Sequence, residues 1–343
     1  MSNVLFNGTQ HPFSRRDFIG FTAKAGLATL VVTATGPLSG LVSVVQAATK
    51  AVIPFRFAIL TDAHLFDIAN HKFDGILTKA VAEVNALNPA PDFVVYLGDI
   101  AQSGKQAELE KGKSILSKLT VPMRVIPGEH DWYLDMGHAW KGLFGTQNWS
   151  FNHKGVHFIG MNSILVRDFW TVKNLTPVER MAYMEELECH RCGLWGVREE
   201  QLEWLKADVK NISPNTPVII FTHSPLWDYY PRWNFQTEDA PAIRAILGKF
   251  TKVMAFHGHV HQVVYNKIGN MTSIGTLSTS WPWPYPAAQL PYPNIKMNRV
   301  DPGDIFDGLG SQFVDLDKIF QGKHQYQPFS DLLPEPLKKG IKV

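Results

Sequence analysis

The chain has 343 residues, of which 45% are hydrophobic and 19% charged, with 33 Lys and Arg against 31 Asp and Glu. That is the composition of a soluble globular protein, with room for one large domain or two ordinary ones. A net charge of +2 gives no global case for nucleic acid as a partner or for capture by anionic lipid.

The first 48 residues read differently from the rest. Ser14-Arg15-Arg16-Asp17-Phe18-Ile19 leads into a stretch rich in Gly, Ala and Thr that ends at Val45-Gln46-Ala47-Ala48. A charged start, a mildly apolar middle and a small-residue end make an export signal rather than part of a fold. Two adjacent Arg followed one residue later by Phe resemble a twin-arginine signal. A membrane span needs about 20 predominantly apolar residues, and Lys24, Thr33, Thr35, Gly36, Pro37 and Gly40 interrupt this one. Cleavage and export to the periplasm or another extracytoplasmic space are therefore expected, with the twin-arginine machinery as a partner. The membrane enters only if the signal is retained. Arg15, Arg16 and Lys24 against Asp17 sum to +2, the whole net charge of the chain, so the mature protein is near neutral.

Residues 49–343 are expected to form a single domain. Phe55-Arg56-Phe57-Ala58-Ile59-Leu60 reads as a strand and ends on Asp62 and His64. Phe73, Ile76, Leu77, Ala80, Val81, Val84 and Leu87 fall on one face of a helix over 73–87, stopped by Pro89. Phe93-Val94-Val95-Tyr96-Leu97-Gly98 is a strand ending on Asp99; a polar helix over about 104–118 follows. The strand from Met123 to Pro127 delivers Gly128-Glu129-His130-Asp131. Trp149–Phe151 and Val156–Gly160 read as a hairpin around 152–155. A helix over about 197–210 precedes the strand 218–222, which ends on His223. A helix over Pro241–Phe250 precedes the strand 253–256, which is followed by His257-Gly258-His259-Val260-His261. Alternation along an extended segment would point 257, 259 and 261 to one side. Late strands are expected near 262–267, 272–277 and 312–316. Alternating β and α early, with hairpins later, predicts an α/β fold of two mixed sheets packed face to face under outer helices.

Two segments look like additions. Residues 165–195 mix acids, aromatics and the pair Cys189 and Cys192. A c-type haem site would need His after the second Cys, where Gly193 stands. A local disulfide is favoured over a redox or metal role in an oxidising compartment. Residues 281–297 form a Pro/aromatic loop, read either as a structural wrap or as a substrate rim.

Asp62-x-His64, Gly98-Asp99, Gly128-x-His130-Asp131, His223 and Gly258-His259-x-His261, in that order, resemble the calcineurin-like metallophosphoesterases over about residues 52–280. The resemblance implies a four-layer α/β/β/α sandwich. It implies hydrolysis of small phosphate esters by a hydroxide bridging two metal ions, with iron or manganese as the expected metals and zinc as the alternative; His and carboxylate ligands suit such ions. By motif, Asp62, His64 and His261 would hold one metal. His223, His259 and Glu129 would hold the second, and Asp99 would bridge. His130 would serve the leaving group, oriented by Asp131. His257 has no counterpart in the motif.

Glu129 departs from the family's Gly-Asn-His. An ionised carboxylate ligates but offers no donor to a phosphate oxygen. Two divalent ions with Asp62, Asp99 and a hydroxide sum to +1, and Glu129 brings the sum to zero. At about 4 Å and an effective dielectric of about 20, that charge opposes an anionic substrate by roughly 4 kcal/mol. A phosphodiester, with one charge, is therefore expected to suit the site better than a monoester. The competing reading is a metal-stabilised module that no longer hydrolyses phosphate and serves a complex in the envelope. The retained His130-Asp131 pair argues against it.

Overall fold

A computed structural model describes residues 52–167, 174–185, 195–230, 233–281, 306, 308–316 and 325–328. Residues 1–48 (read from the sequence as an export signal), the Cys pair and most of the Pro/aromatic loop lie outside the described residues. No described helix is long and apolar enough to cross a membrane.

The first sheet contains β1 (Arg56–Leu60), β2 (Val94–Tyr96), β3 (Met123–Val125), β12 (Gly310–Asp315) and β13 (Gln325–Pro328), in the order β13-β12-β1-β2-β3. Its β1, β2 and β3 run parallel, and β12 returns antiparallel to β1. The second sheet has the order β10-β11-β9-β8-β5-β4. It is built from β4 (Trp149–His153), β5 (Val156–Gly160), β8 (Val218–Thr222), β9 (Val253–His257), β10 (Tyr265–Ile268) and β11 (Met271–Gly275). Here β5, β8, β9 and β11 are parallel neighbours, and β4 and β10 close the edges antiparallel. A short antiparallel pair, β6 (Leu165–Val166) and β7 (Trp195–Gly196), stands apart.

The two-residue period of the strands sorts their side chains into layers. Phe57 and Ile59 of β1, Val95 of β2, Ile219 and Phe221 of β8 and Met254 and Phe256 of β9 meet between the sheets. Phe57 stacks on Phe93 at 5.3 Å and meets Phe158, Phe221 and Phe256 edge-on at 5.7, 5.9 and 6.1 Å, geometries that aromatic quadrupoles favour. The alternate residues Ala58, Leu60, Val94 and Tyr96 pack outward against α1 (Lys72–Asn85) and α2 (Gln106–Leu116). On the far side, Val218, Ile220, Val253 and Ala255 cover α6 (Arg198–Val209) and α7 (Ala240–Leu247). The expected α/β/β/α sandwich is therefore the observed architecture.

Most predicted elements appear within a few residues of their expected bounds. The strand predicted over 262–267 starts later, at Tyr265, because the chain turns through His259 and His261 first. Three short helices have no counterpart in the periodicity: α3 (Glu129–Trp132), α4 (His138–Phe144) and α5 (Pro177–Glu185). The last lies within the 165–195 addition, with Met181 and Met184 buried in the layer under α1 and α2.

Candidate metal centre

Each candidate ligand except Glu129, which opens α3, sits in a turn just past the carboxyl end of a strand. Asp62, His64, Asp99, His259 and His261 all have φ between +49° and +63°, a region that non-glycine residues occupy uncommonly. Such residues cost of order 1–3 kcal/mol each and cluster where a side chain must be aimed at a site. Backbone pairing over-determines them here. Asp62 N–H donates to Gly98 O at 3.0 Å, His64 N–H to Asp99 O at 3.0 Å, and Leu65 N–H to Ile100 O at 2.8 Å. Gly98 has φ +102°, and a Cβ there would sit 2.5 Å from Gly128 N, so only glycine lets the β2 and β3 turns approach this closely.

The turns gather two adjoining donor sets. Asp62, His64 and His261 offer ligand atoms within 4.8 Å of one another, as do Asp99, Glu129, His223 and His259. His261 Nε2 lies 3.1 Å from Asp62 Oδ1 and 3.2 Å from His64 Nε2. Glu129 spans the second set, with Oε2 2.9 Å from His223 Nε2 and Oε1 2.9 Å from His259 Nδ1. Asp99 Oδ2 faces both sets, 3.2 Å from His223 Nε2 and 3.7 Å from His64 Nε2.

Asp62, Asp99 and Glu129 are buried, at 0%, 1% and 3% exposure, and buried carboxylates require compensating charge. Burial pushes the Asp62 carboxyl up, but His261, His223 and His64 outweigh it and hold the group well below the usual carboxylate range. Glu129 behaves alike, with burial overcome by His259 and His223. Burial pushes the His223 imidazole down, but Asp99 and Glu129 raise it well above its ordinary value. His64 is driven the other way by burial and by His130 and His261. Asp99 Oδ2, Glu129 Oε2 and His223 Nε2 are buried and make no directed hydrogen bond. A cluster that pools carboxylate and imidazole donors in two adjoining groups fits two divalent ions.

His130 stands at the rim, its side chain 13% exposed and its Nε2 4.0 Å from Glu129 Oε1. Its backbone N–H donates to Asp99 Oδ1 at 3.0 Å. The orientation expected from Asp131 is corrected here. His130 Nδ1 lies 2.6 Å from Gln102 O, so a main-chain carbonyl fixes the ring. Asp131 instead accepts from Ala101 N and Gly128 N at 2.9 and 3.1 Å. As the third residue of α3 it caps that helix, and geometry leaves its oxygens pointing at the turns. Burial and the neighbouring Asp99 carboxylate raise its carboxyl to about 7.

The alternation expected for 257, 259 and 261 also ends at His257. The left-handed turns at His259 and His261 aim those rings at Glu129 and at Asp62. The His257 ring packs near Tyr229 at 5.7 Å, with Nδ1 3.0 Å from Gly258 O. Burial lowers its imidazole to about 4, keeping it neutral. Sequence reasoning passed over Gln102, whose Oε1 lies 2.9 Å from His64 Nδ1. Trp281, the first residue of the loop read as a wrap or a substrate rim, meets the His64 ring at 5.2 Å, and Trp195 of the 165–195 addition meets the His259 ring at 4.8 Å. Gln102 lies only three residues past Asp99, and that proximity was the available signal.

The sequence profile of the calcineurin-like phosphoesterases matches residues 55–263. The chain is 28% identical over 205 residues to a probable glycerophosphodiester phosphodiesterase of Arcobacter nitrofigilis, covering 57% of this chain and 67% of that protein. It is 22% identical over 237 residues to a 3',5'-cyclic-nucleotide phosphodiesterase of Nostoc sp., covering 67% and 80% respectively. A solved dimetal phosphatase from Danio rerio superposes with a TM-score of 0.49 and 17% identity, over 66% of this chain and 88% of that one.

Proposed function

The chain belongs to the calcineurin-like phosphoesterase family, and from that premise we propose that it is an exported metal-dependent hydrolase that prefers phosphodiesters to monoesters. The observation that carries the reading is the pair of buried donor sets that meet at Asp99. Asp62, His64 and His261 would hold one ion, Glu129, His223 and His259 the other, and Asp99 would face both. When bound, two such ions stabilise charge on phosphoryl oxygens and make a nucleophile available at neutral pH.

The rest of the chemistry belongs to the chain. His223 Nδ1 lies 2.6 Å from Leu97 O and so carries a proton there; the Nε2 proton that Asp99 and Glu129 favour would leave when metal binds, making Nε2 the ligand atom. His130 donates Nδ1–H to Gln102 O; in its protonated form it can give the Nε2 proton to the leaving oxygen at the rim. Glu129 lowers the positive charge of the centre and offers no hydrogen-bond donor, which favours a substrate with one charge over a substrate with two. The phosphodiesterase names of the two curated relatives support the same side of that choice. Residues 1–48 supply the export reading.

The test is metal analysis of purified protein combined with assays on bis(p-nitrophenyl) phosphate and p-nitrophenyl phosphate. We expect two equivalents of metal and a higher kcat/KM on the diester. Asp99→Ala should lose hydrolysis and release metal. Wild-type metal content and turnover in that variant would sink the assignment.

A further inference from the structure

Gln102 touches both halves of the chemistry. Its backbone N–H donates to Leu65 O at 2.9 Å, which turns the residue back over the β1 turn. From there Oε1 lies 2.9 Å from His64 Nδ1, while its own carbonyl lies 2.6 Å from His130 Nδ1. An amide oxygen only accepts, so the His64 proton must sit on Nδ1. Nε2 then presents its lone pair to the donor set, 3.2 Å from His261 Nε2, 3.7 Å from Asp99 Oδ2 and 3.9 Å from Asp62 Oδ1. The same amide turned by half a rotation would present NH2, which only donates. The proton would then move to Nε2, and His64 could no longer ligate, because a metal needs the unprotonated nitrogen.

We propose that the Gln102 side chain is a positioning group that selects the ligating tautomer of His64, and so governs the ion held with Asp62 and His261 rather than the ion held with Glu129. The inference rests on the metal-centre reading above. The His130 ring is held by the main chain of Gln102, so replacing the side chain separates the two contacts. Outer groups of this kind typically change metal affinity by 10–100-fold when removed.

The experiment is calorimetric titration of metal-stripped protein with Mn2+ alone, for wild type, Gln102→Leu and Gln102→Glu, with the Tm of each apo-protein. Wild type should take two equivalents. Gln102→Leu should keep one at wild-type affinity and bind the other about 10–100-fold more weakly. Gln102→Glu, whose carboxylate always accepts, should bind both at least as tightly as wild type. Equal weakening of both equivalents in Gln102→Leu, or none, would overturn the proposal. So would a Gln102→Glu variant as weak as the leucine, or a matching loss of apo-protein Tm in both variants, which would make Gln102 a packing residue. Wild-type protein that takes up no Mn2+ would remove the metal-centre reading, and this inference with it.

Discussion

Glu129 tests how a single side chain sets the charge of a metal centre. Its carboxylate is buried between His223 and His259, 2.9 Å from each, and does not swing away from the cluster. Glu129→Asn returns one unit of positive charge and adds an NH2 donor facing the substrate. The full Coulomb effect is roughly 4 kcal/mol at about 4 Å and an effective dielectric of about 20. About a third of that already shifts a ratio of rates about tenfold. We therefore expect monoester turnover to rise about tenfold relative to diester turnover, with tighter inhibition by inorganic phosphate. Metal retention should weaken, because an amide is a poorer ligand than a carboxylate. Competition assays with phosphate and dialysis against chelator measure both; unchanged phosphate binding together with unchanged metal affinity would place Glu129 outside the ligand set. At this scale the sequence was informative wherever a strand ran directly into a member of the buried donor sets, as at Asp62, Asp99 and His223. It was silent where a main-chain atom does the work. The carbonyl that fixes His130 belongs to a residue whose side chain faces elsewhere, and the motif pointed to Asp131 instead.

At the scale of elements, α5 is the addition that the pattern could not place. A nine-residue helix between unpatterned flanks gives too few turns for a clear apolar stripe, and α3 has only four residues. The structure shows what joins them. The Arg180 guanidinium of α5 donates to Tyr133 O at 2.9 Å, Leu134 O at 2.7 Å and Leu175 O at 2.9 Å. Tyr133 and Leu134 directly follow the helix that carries Glu129 and His130. The Tyr133 hydroxyl in turn donates to Ile164 O at 2.5 Å. The addition is therefore a brace on the helix that carries Glu129 and His130. Arg180→Ala leaves carbonyls without a donor and should cost about 1–3 kcal/mol in urea unfolding. It should also loosen the His130 ring, so kcat should fall by about tenfold on esters with poor leaving groups and far less on activated aryl esters. Added guanidinium should recover part of that loss. Lysine should not, since a point ammonium lacks the planar fork. An equal fall on both ester types would show that the brace acts on the whole site and not on His130.

At the scale of the molecule, the donor atoms come from both sheets. Asp62, His64 and Asp99 follow β1 and β2, and His223, His259 and His261 follow β8 and β9, so bound ions would tie one half of the sandwich to the other. The sandwich itself was legible because both-face burial of the strands reads as near-continuous apolar runs. The left-handed turns were not, since φ leaves no mark on a residue such as His or Asp. Binding that favours only the folded state adds about 2.7 kcal/mol at a hundredfold excess over Kd, so the step at which metal enters decides when the protein becomes stable. Under the proposal that residues 1–48 are a twin-arginine signal, the protein would pass the membrane after folding, and metal would load in the cytoplasm. Affinity alone rises from Mn2+ through Fe2+ to Cu2+, so a site filled after export would drift towards copper or zinc. Protein made with its own signal should therefore carry iron or manganese, and chelation should lower its Tm. Arg15→Lys with Arg16→Lys should leave the loaded protein in the cytoplasm. Export that survives that double substitution, or native protein dominated by copper or zinc, would contradict loading before translocation, because the ions would then have been chosen by affinity outside.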